Sequence, residues 1–324
     1  VAPETFELAY SPAERAALAQ HVTFLGSPTL ELETLRRSGP LHEVEALFTG
    51  WASPTLDARL LDALPGLRVL FHAGGSVKFL ASDEFWRRRI RLTSATRANA
   101  IPVAEYTFAH TILALKRVLP LAQATRGARA FVRDDAATPS TFQSTVGLLS
   151  LGTIGRMVAA RLRSLDVRVI GYDPYVSASS AAGLGVELCS MEELFTRADV
   201  VSCHTPLLDS TQHLLRAEHF SRMKPHATFI NTARGSIVCE VELIDVLQRR
   251  PDLFAILDVT DPEPPPSDSP LYTLPNVFVT PHLSGSIGPE CRRMGQMMLD
   301  EVRRYLASQP LLGEVTQDEL SMLA

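Results

Sequence analysis

From Thr145 onward the chain alternates short apolar runs with helical stretches. "TVGLL" is followed by a helix from Gly155, then "VRVIGY", "MEELFTRA", "DVVSC", "ATFIN", "EVELIDVLQ", "AILDV" and "VFVT". Strand and helix taking turns in this way build βαβ units around a parallel sheet. The first hundred residues repeat the theme, with strands expected at 6–9, 22–25, 46–49 and 67–71. "SPAERAALA" supplies a helix start, with Ser11 as N-cap, Pro12 at the first helical position and Glu14 completing a capping box. "SPTLDARLLDAL" repeats the Ser-Pro start at Ser53. A long helix is expected from near Val103 through "AEYTFAHTILALKRVL", stopping at Pro120, and polar, irregular sequence follows at 133–144. The tail at 289–307 reads as helical.

At 324 residues the chain is long enough for two domains of roughly 100–200 residues each. The expected division is 1–103 plus 289–324 for one and 104–288 for the other. The fold class is α/β: two doubly wound parallel-sheet domains, a Rossmann-type cofactor domain and a smaller flavodoxin-like substrate domain.

Several function classes drop out. A net charge of −5 argues against a nucleic-acid binder, which would show a basic face. No apolar run approaches the ~18 residues of a membrane span, and no repeat of solenoid or propeller length is present. The opening "VAPETFELAYSPAERAALAQ" shows no basic region followed by an apolar one, so no secretory signal is expected. Cys189, Cys203, Cys239 and Cys291 follow no CxxC spacing, and Cys203 closes an apolar run as a reduced core thiol would. The expectation is a cytoplasmic protein without a metal.

"VGLLSLGTIGRMVAARL" has the strand, glycine-bearing turn and helix of a dinucleotide site, where a pyrophosphate rests on free N–H groups at the helix N-terminus. Gly152 and Gly155 fill the second and third glycine positions of GxGxxG, whereas Ser150 stands at the first. The next strand ends in Asp173, about 20 residues on, where an acidic side chain binds the ribose hydroxyls of NAD. "YDPYVSAS" offers no Lys or Arg for the extra phosphate of NADP, so NAD is the expected cofactor.

"FINTARGSIV" poses a separate question, because the buried strand "ATFI" ends in a small polar turn that thrusts Arg234 forward. Such a charge faces solvent, a partner carboxylate or a ligand. Glu263 in "LDVTDPEP" and His282 closing "VFVTPH" likewise stand at strand ends, where a doubly wound sheet places its ligand crevice. Taken singly they could be a surface Arg, a Glu in a proline-rich loop and a structural His before a turn.

Together and in this order they resemble the D-isomer-specific 2-hydroxyacid dehydrogenase family. The matching stretches are "VGLLSLGTIGR", "VVSCHTPLLDSTQHLL", "MKPHATFINTARGSIV", "AILDVTDPEPPPSDSPLYTLPNV" and "TPHLSG", and more loosely "FHAGGSV" and "ANAIPVAEYTFAH". The resemblance implies hydride transfer between NAD and a small 2-hydroxy or 2-keto acid, with the chain acting as a homodimer and engaging neither nucleic acid nor membrane. It implies that Arg234 grips the substrate carboxylate and carbonyl, that His282 is the general acid and base, and that Glu263 orients it. Gly152, Thr153, Ile154, Gly155, Asp173, His204, Thr205, Pro206, Thr211, Thr232, Ala233, Arg234, Asp258, His282 and Gly285 would meet the cofactor. Gly74, Gly75, Ser76, Val77 and Asn99, with Arg234 and His282, would meet the substrate. Thr153, Thr260 and Lys78 depart from the common pattern, as Ser150 does. Two other readings remain on the same scaffold: a phosphite-type dehydrogenase, and an NAD-sensing binding protein of the corepressor kind. Formate dehydrogenases would carry Gln in place of Glu263.

Overall fold

A computed structural model describes residues 3–29 and 31–322. The chain divides into two compact units, one formed by the residues up to Ala100 with those from Ser286 onward, the other by Ile101–Gly285. The divisions expected from sequence were 103/104 and 288/289.

The smaller unit holds β1 (Ala46–Gly50), β2 (Val69–Ala73) and β3 (Arg91–Ser94). The larger holds β4 (Phe142–Leu149), β5 (Asp166–Tyr172), β6 (Glu187–Leu188), β7 (Val200–Cys203), β8 (Thr228–Asn231), β9 (Phe254–Leu257) and β10 (Val277–Val279). A last strand, β11 (Glu314–Val315), returns to the smaller sheet.

In the smaller unit the strand order is β1-β2-β3-β11. The first three strands are parallel and β11 runs antiparallel to β3. All five residues of β2 are buried, as the continuous run "VLFHA" requires of a strand covered on both faces. The helix Cys291–Leu306 packs Met294, Met298 and Val302 against Phe71, joined by Phe6 and Tyr10. Each such fully buried side chain contributes about 1.5–3 kcal/mol.

Four sequence expectations give way here. Residues 6–9 are helical, within Pro3–Ala9, because Phe6, Ala9 and Tyr10 bury one face at helical spacing while Leu8 points outward. Residues 22–25 form no strand. The Val22 amide is already spent on Leu18 O at 2.9 Å, closing the preceding helix. The helix expected at Ser53 begins instead at Ala58, where Asp57 accepts from Leu60 N at 2.9 Å. Leu56 N has been drawn to Leu80 O, which holds the preceding residues extended. The long helix covers Thr96–Leu115 and is ended by Arg117, in the left-handed region, rather than by Pro120. Pro120 lies in the first turn of the next helix, Val118–Ala128, where its missing N–H has no partner to lose. Ser11 caps Pro12–Leu18 as expected, accepting from Ala13 N, but the expected capping box does not form, because Glu14 takes the Ser11 hydroxyl proton and not the Ser11 backbone N–H.

The larger unit is a parallel sheet of order β10-β9-β8-β7-β4-β5-β6. Its direction of winding reverses between β4 and β7, so the loops after Leu149 and Cys203 flank the topological switch point. Two apolar layers cover the sheet. One centres on Phe195, Phe220 and Phe229, the other on Leu148, Val158 and Ile256.

Candidate active site

The turn after β4 is built for an anion. Ser150 has φ +75°, the left-handed region that favours glycine, and its hydroxyl meets Thr205 Oγ1 across the switch point at 3.0 Å. Gly155 cannot carry a side chain, since a Cβ there would lie 2.2 Å from Ser150 O. Gly152 faces open space and precedes the helix Thr153–Leu162. The first N–H groups of that helix, on Thr153, Ile154 and Gly155, have no acceptor among the described residues. Arg156 Nε donates to Leu151 O at 2.8 Å and Leu151 N donates to Asp173 Oδ2 at 2.7 Å, so one residue ties the turn to the end of β5. Asp173 Oδ1 accepts from Tyr175 N at 2.9 Å. Each carboxylate oxygen keeps a lone pair for a ribose hydroxyl.

Beyond β7, His204 is buried. Its Nε2 lies 3.1 Å from Ser202 Oγ and its Nδ1 is unpartnered. Burial pushes its imidazole down to about 4, so the ring is neutral. Thr211 gives its hydroxyl to Pro206 O at 2.6 Å and receives Leu208 N at 2.8 Å. Its polar capacity thus shapes the loop that carries Pro206.

The turn after β8 answers the question posed by "NTARG". Asn231 is fully buried and brackets the turn, accepting from Ala233 N and donating to Arg234 O, both at 3.0 Å. Thr232 Oγ1 lies 3.2 Å from Thr107 Oγ1. Arg234 makes no ion pair among the described residues. Its one side-chain hydrogen bond there runs from Nη1 to Ala233 O at 2.7 Å. Burial lowers its pKa and the charge of Glu263 acts in the opposite sense. The guanidinium is therefore partly desolvated, near a carboxylate, and has free N–H groups.

Asp258, 1% exposed, organises the loop after β10. It accepts from Thr280 Oγ1 at 2.6 Å, Leu283 N at 2.9 Å and Ser284 N at 2.8 Å, which leaves Oδ2 one lone pair for a carboxamide. Gly285 follows directly. Asp258 O also accepts from His282 N at 3.0 Å, holding a histidine whose φ is +50°. His282 Nδ1 donates to Glu263 Oε1 at 2.6 Å, since an ionised carboxylate can only accept. Both side chains are nearly half exposed, at 46% and 42%. The ring is thereby oriented through Nδ1, leaving Nε2 for a ligand. Two residues that sequence reasoning missed support these loops: Tyr106 Oη lies 2.8 Å from Thr280 Oγ1, and Glu240 accepts from Asp261 N at 2.8 Å. Both act from helices remote in sequence, and no spacing in the motifs signals them.

In the smaller unit, the loop bearing Gly74, Gly75, Ser76 and Val77 follows β2. Ser94 Oγ donates to one of the Gly74 and Gly75 carbonyls, at 3.1 and 2.9 Å, and Thr96 Oγ1 reaches Gly75 O at 2.7 Å. With its carbonyls drawn back, the loop keeps its N–H groups without acceptors among the described residues. Such a row of amides suits an anion. Asn99 Oδ1 accepts from Ser286 N at 2.9 Å, and its Nδ2 sits 3.1 Å from where a Cβ on Gly75 would be. Lys78 is exposed and makes no ion pair among the described residues. No cluster of three metal-ligating side chains and no helix long and apolar enough to cross a membrane occurs among the described residues.

This arrangement, a nucleotide-type turn beside an unpaired Arg and a Glu–His pair, is the kind used by dehydrogenases of small acids. The model of the family "D-isomer specific 2-hydroxyacid dehydrogenase, NAD binding domain" matches residues 108–284, and the chain belongs to that family. It is 37% identical over 267 residues to D-3-phosphoglycerate dehydrogenase of Mycobacterium leprae (strain TN), covering 82% of this chain and 50% of that protein. The enzyme of the same name from Bacillus subtilis (strain 168) is 30% identical, with 87% and 54% covered. The chain thus spans about half the length of the curated relatives it matches. Among solved structures, the TT0316 protein from Thermus thermophilus shares 30% identity with a TM-score of 0.70, over 89% of this chain and 91% of that one. The D-isomer specific 2-hydroxyacid dehydrogenase of Xanthobacter autotrophicus Py2, solved with NADPH and MES, shares 25% with a TM-score of 0.73, over 87% of each. The larger unit therefore carries an NAD-binding domain. Its open Gly152, free helix amides and Asp173 fit that cofactor.

Proposed function

We propose that this chain is an NAD-dependent oxidoreductase that interconverts a D-2-hydroxy acid and its 2-keto acid. The observation that carries this reading is the 2.6 Å His282–Glu263 pair beside an Arg234 without an ion pair of its own. NAD, when bound, supplies or accepts the hydride. Arg234, planar and permanently charged, holds the substrate carboxylate and carbonyl oxygen in a two-pronged grip. His282 Nε2 gives a proton to the oxygen as reduction turns it into an alkoxide, and takes it back in oxidation. Glu263 fixes the ring through Nδ1 and balances the positive charge that the ring carries before it gives up the proton. The 74–77 loop supplies backbone amides for a carboxylate.

Asp173 favours NAD, because its charge opposes a 2′-phosphate and residues 174–180 bring no cation to offset it. A second copy of this chain would cover Phe131 and Phe142, which are 97% and 62% exposed. The four free thiols suit a reducing, cytoplasmic setting. The test is a panel of 2-keto acids with NADH and NADPH, including the phosphorylated hydroxypyruvate that the name of the relatives suggests. Turnover with NADH on at least one acid is expected. NADH binding without turnover on any would overturn the enzyme reading in favour of a binding protein.

A further inference from the structure

Glu240 opens the helix Glu240–Arg249, a short step along the chain from Arg234. An acid in the first turn of a helix ordinarily answers the helix dipole and the free N–H groups there. Glu242 shares that turn and pairs with Arg216 at 3.0 Å. Glu240 turns away from its own helix, and its Oε2 accepts from Asp261 N at 2.8 Å. The place is a poor one for a charge. Burial raises the Glu240 pKa, the bond from Asp261 N opposes the rise, and the Asp261 carboxylate adds to it. The other charged neighbour of Asp261 is His213, whose Nε2 lies 3.8 Å from Asp261 Oδ2. A half-buried acid set beside a second acid calls for a specific reason.

The stretch from Arg234 to Glu240 holds the 260–261 peptide units twice. A Cβ on Gly235 would lie 1.9 Å from Thr260 O and 2.7 Å from Asp261 N, so the turn that bears Arg234 packs its backbone directly on the loop that bears Glu263. Glu240 then takes the Asp261 amide. Within the loop, Thr260 Oγ1 donates to Pro262 O at 2.9 Å, and Pro262 and Pro264 restrict the backbone on either side of Glu263. Little freedom is left between the Asp261 amide and the Glu263 carboxylate, which accepts from His282 Nδ1 at 2.6 Å.

We propose that Glu240 is a positioning residue for the Glu263–His282 pair: by holding Asp261 N it fixes Glu263 against the ring and sets the pair's place relative to Arg234. Every residue in this chain of contacts belongs to the larger unit. The proposal rests on the reading of Glu263 and His282 given above.

The test compares wild type with Glu240→Ala, Glu240→Asp and Glu240→Gln in the full chain. The aspartate keeps a charge on the first turn of the helix but is one methylene too short to reach Asp261 N. The glutamine drops the charge and still offers an oxygen. Nitrogen NMR of the ligand-free protein reads which ring nitrogen of neutral His282 carries the proton, a choice set by the hydrogen bond that Nδ1 makes. Wild type and Glu240→Gln should hold it on Nδ1, whereas Glu240→Ala and Glu240→Asp should release it in part to Nε2. On the best 2-keto acid with NADH, kcat should fall about tenfold in the Ala and Asp variants, the worth of one hydrogen bond and short of the hundredfold or more that an acid–base group itself supplies. The Gln variant should stay within about threefold, and NADH affinity should do the same in all three. If Glu240→Ala does not fold, Glu240→Asp carries the same comparison. Wild-type kcat and tautomer in Ala and Asp would overturn the proposal. So would a Gln variant as damaged as Ala, or a loss of NADH affinity as large as the loss of kcat. A wild type that turns over no 2-keto acid would overturn the enzyme reading, while the tautomer comparison still decides whether Glu240 holds the pair.

Discussion

The two units present their chemistry in different currencies. In the larger one, the candidate site consists of charged and polar side chains at strand ends, and buried partners pin the loops that bear them. Asn231 brackets the Arg234 turn, and Asp258 gathers the His282 loop with three accepted bonds besides the one through its backbone. In the smaller one, the loop offers backbone amides, and the side chain beneath it, His72, is left unmet at Nε2. A side-chain site can be read from residue identity. A backbone site depends on which carbonyls are pulled away, and by what.

The sharpest test of the side-chain half is Arg234→Lys. Lysine keeps the charge but cannot make the planar two-pronged contact, so kcat/KM on the best keto acid should fall about a thousandfold, as when a preorganised donor to the reacting oxygen is lost. NADH affinity, measured by fluorescence titration, should stay within about threefold if the effect lies in substrate binding and chemistry. A variant retaining a third of wild-type kcat/KM would show that Arg234 does not grip the substrate.

The pattern of what the sequence disclosed follows the same division. "NTARG", Glu263, His282 and the Gly152 turn were legible because each depends on residue type at a strand end, and the strands of the larger sheet are short apolar runs with clear edges. The smaller unit was less legible. Residues 6–9 read as a strand because Phe6 and Leu8 alternate about Glu7, and so short a run fits either period. Only the burial of Phe6, Ala9 and Tyr10 together decides for helix. Tyr106, Glu240 and Ser94 were invisible for another reason: each acts across a long stretch of chain, and a single sequence holds no record of that contact.

Acid stability compares one buried histidine in each unit. His72 and His204 both have folded-state pKa values near 4, below the ordinary value of about 6.5, because burial disfavours their charged forms. The unfolded chain therefore binds more protons between about pH 6.5 and 4. The stability these groups contribute is complete above about 6.5 and is lost as pH falls towards 4. Each full loss is on the order of 3 kcal/mol. Urea titrations across that window should show the slope shrink in His72→Phe and separately in His204→Phe. An unchanged slope in either variant would mean that the ring concerned is already charged in the fold.

Gly74→Ala probes the backbone half. Its Cβ would fall 2.3 Å from His72 Nε2, so ring and loop must part, at a cost of about 2 kcal/mol typical of overpacking. The substrate KM should rise while NADH affinity is unchanged. Combining the change with His72→Ala, which empties the space behind the loop, should recover stability relative to the two single changes added together. Simple additivity would mean that loop and ring do not press on each other.

The smallest effect sits at the one place where the larger unit also relies on backbone shape. Ser150 occupies the left-handed region at φ +75°, where an L side chain is strained by about 1 kcal/mol and glycine is not. Against that, its hydroxyl bridges to Thr205 Oγ1 at 3.0 Å, a bond worth about the same at this half-buried position. Ser150→Gly therefore removes a strain and a bond of similar size, and its melting temperature should move by no more than a few degrees. Ser150→Ala keeps the strain and loses the bond, so it should be less stable than Ser150→Gly by about 1 kcal/mol. Thr205→Val in the wild-type background should cost about the same bond, and in Ser150→Gly it should cost little. If Ser150→Ala equals Ser150→Gly in urea midpoint, the left-handed turn carries no strain. The Thr205 bond then stands unopposed, and Ser150→Gly should itself be less stable than wild type by about that bond.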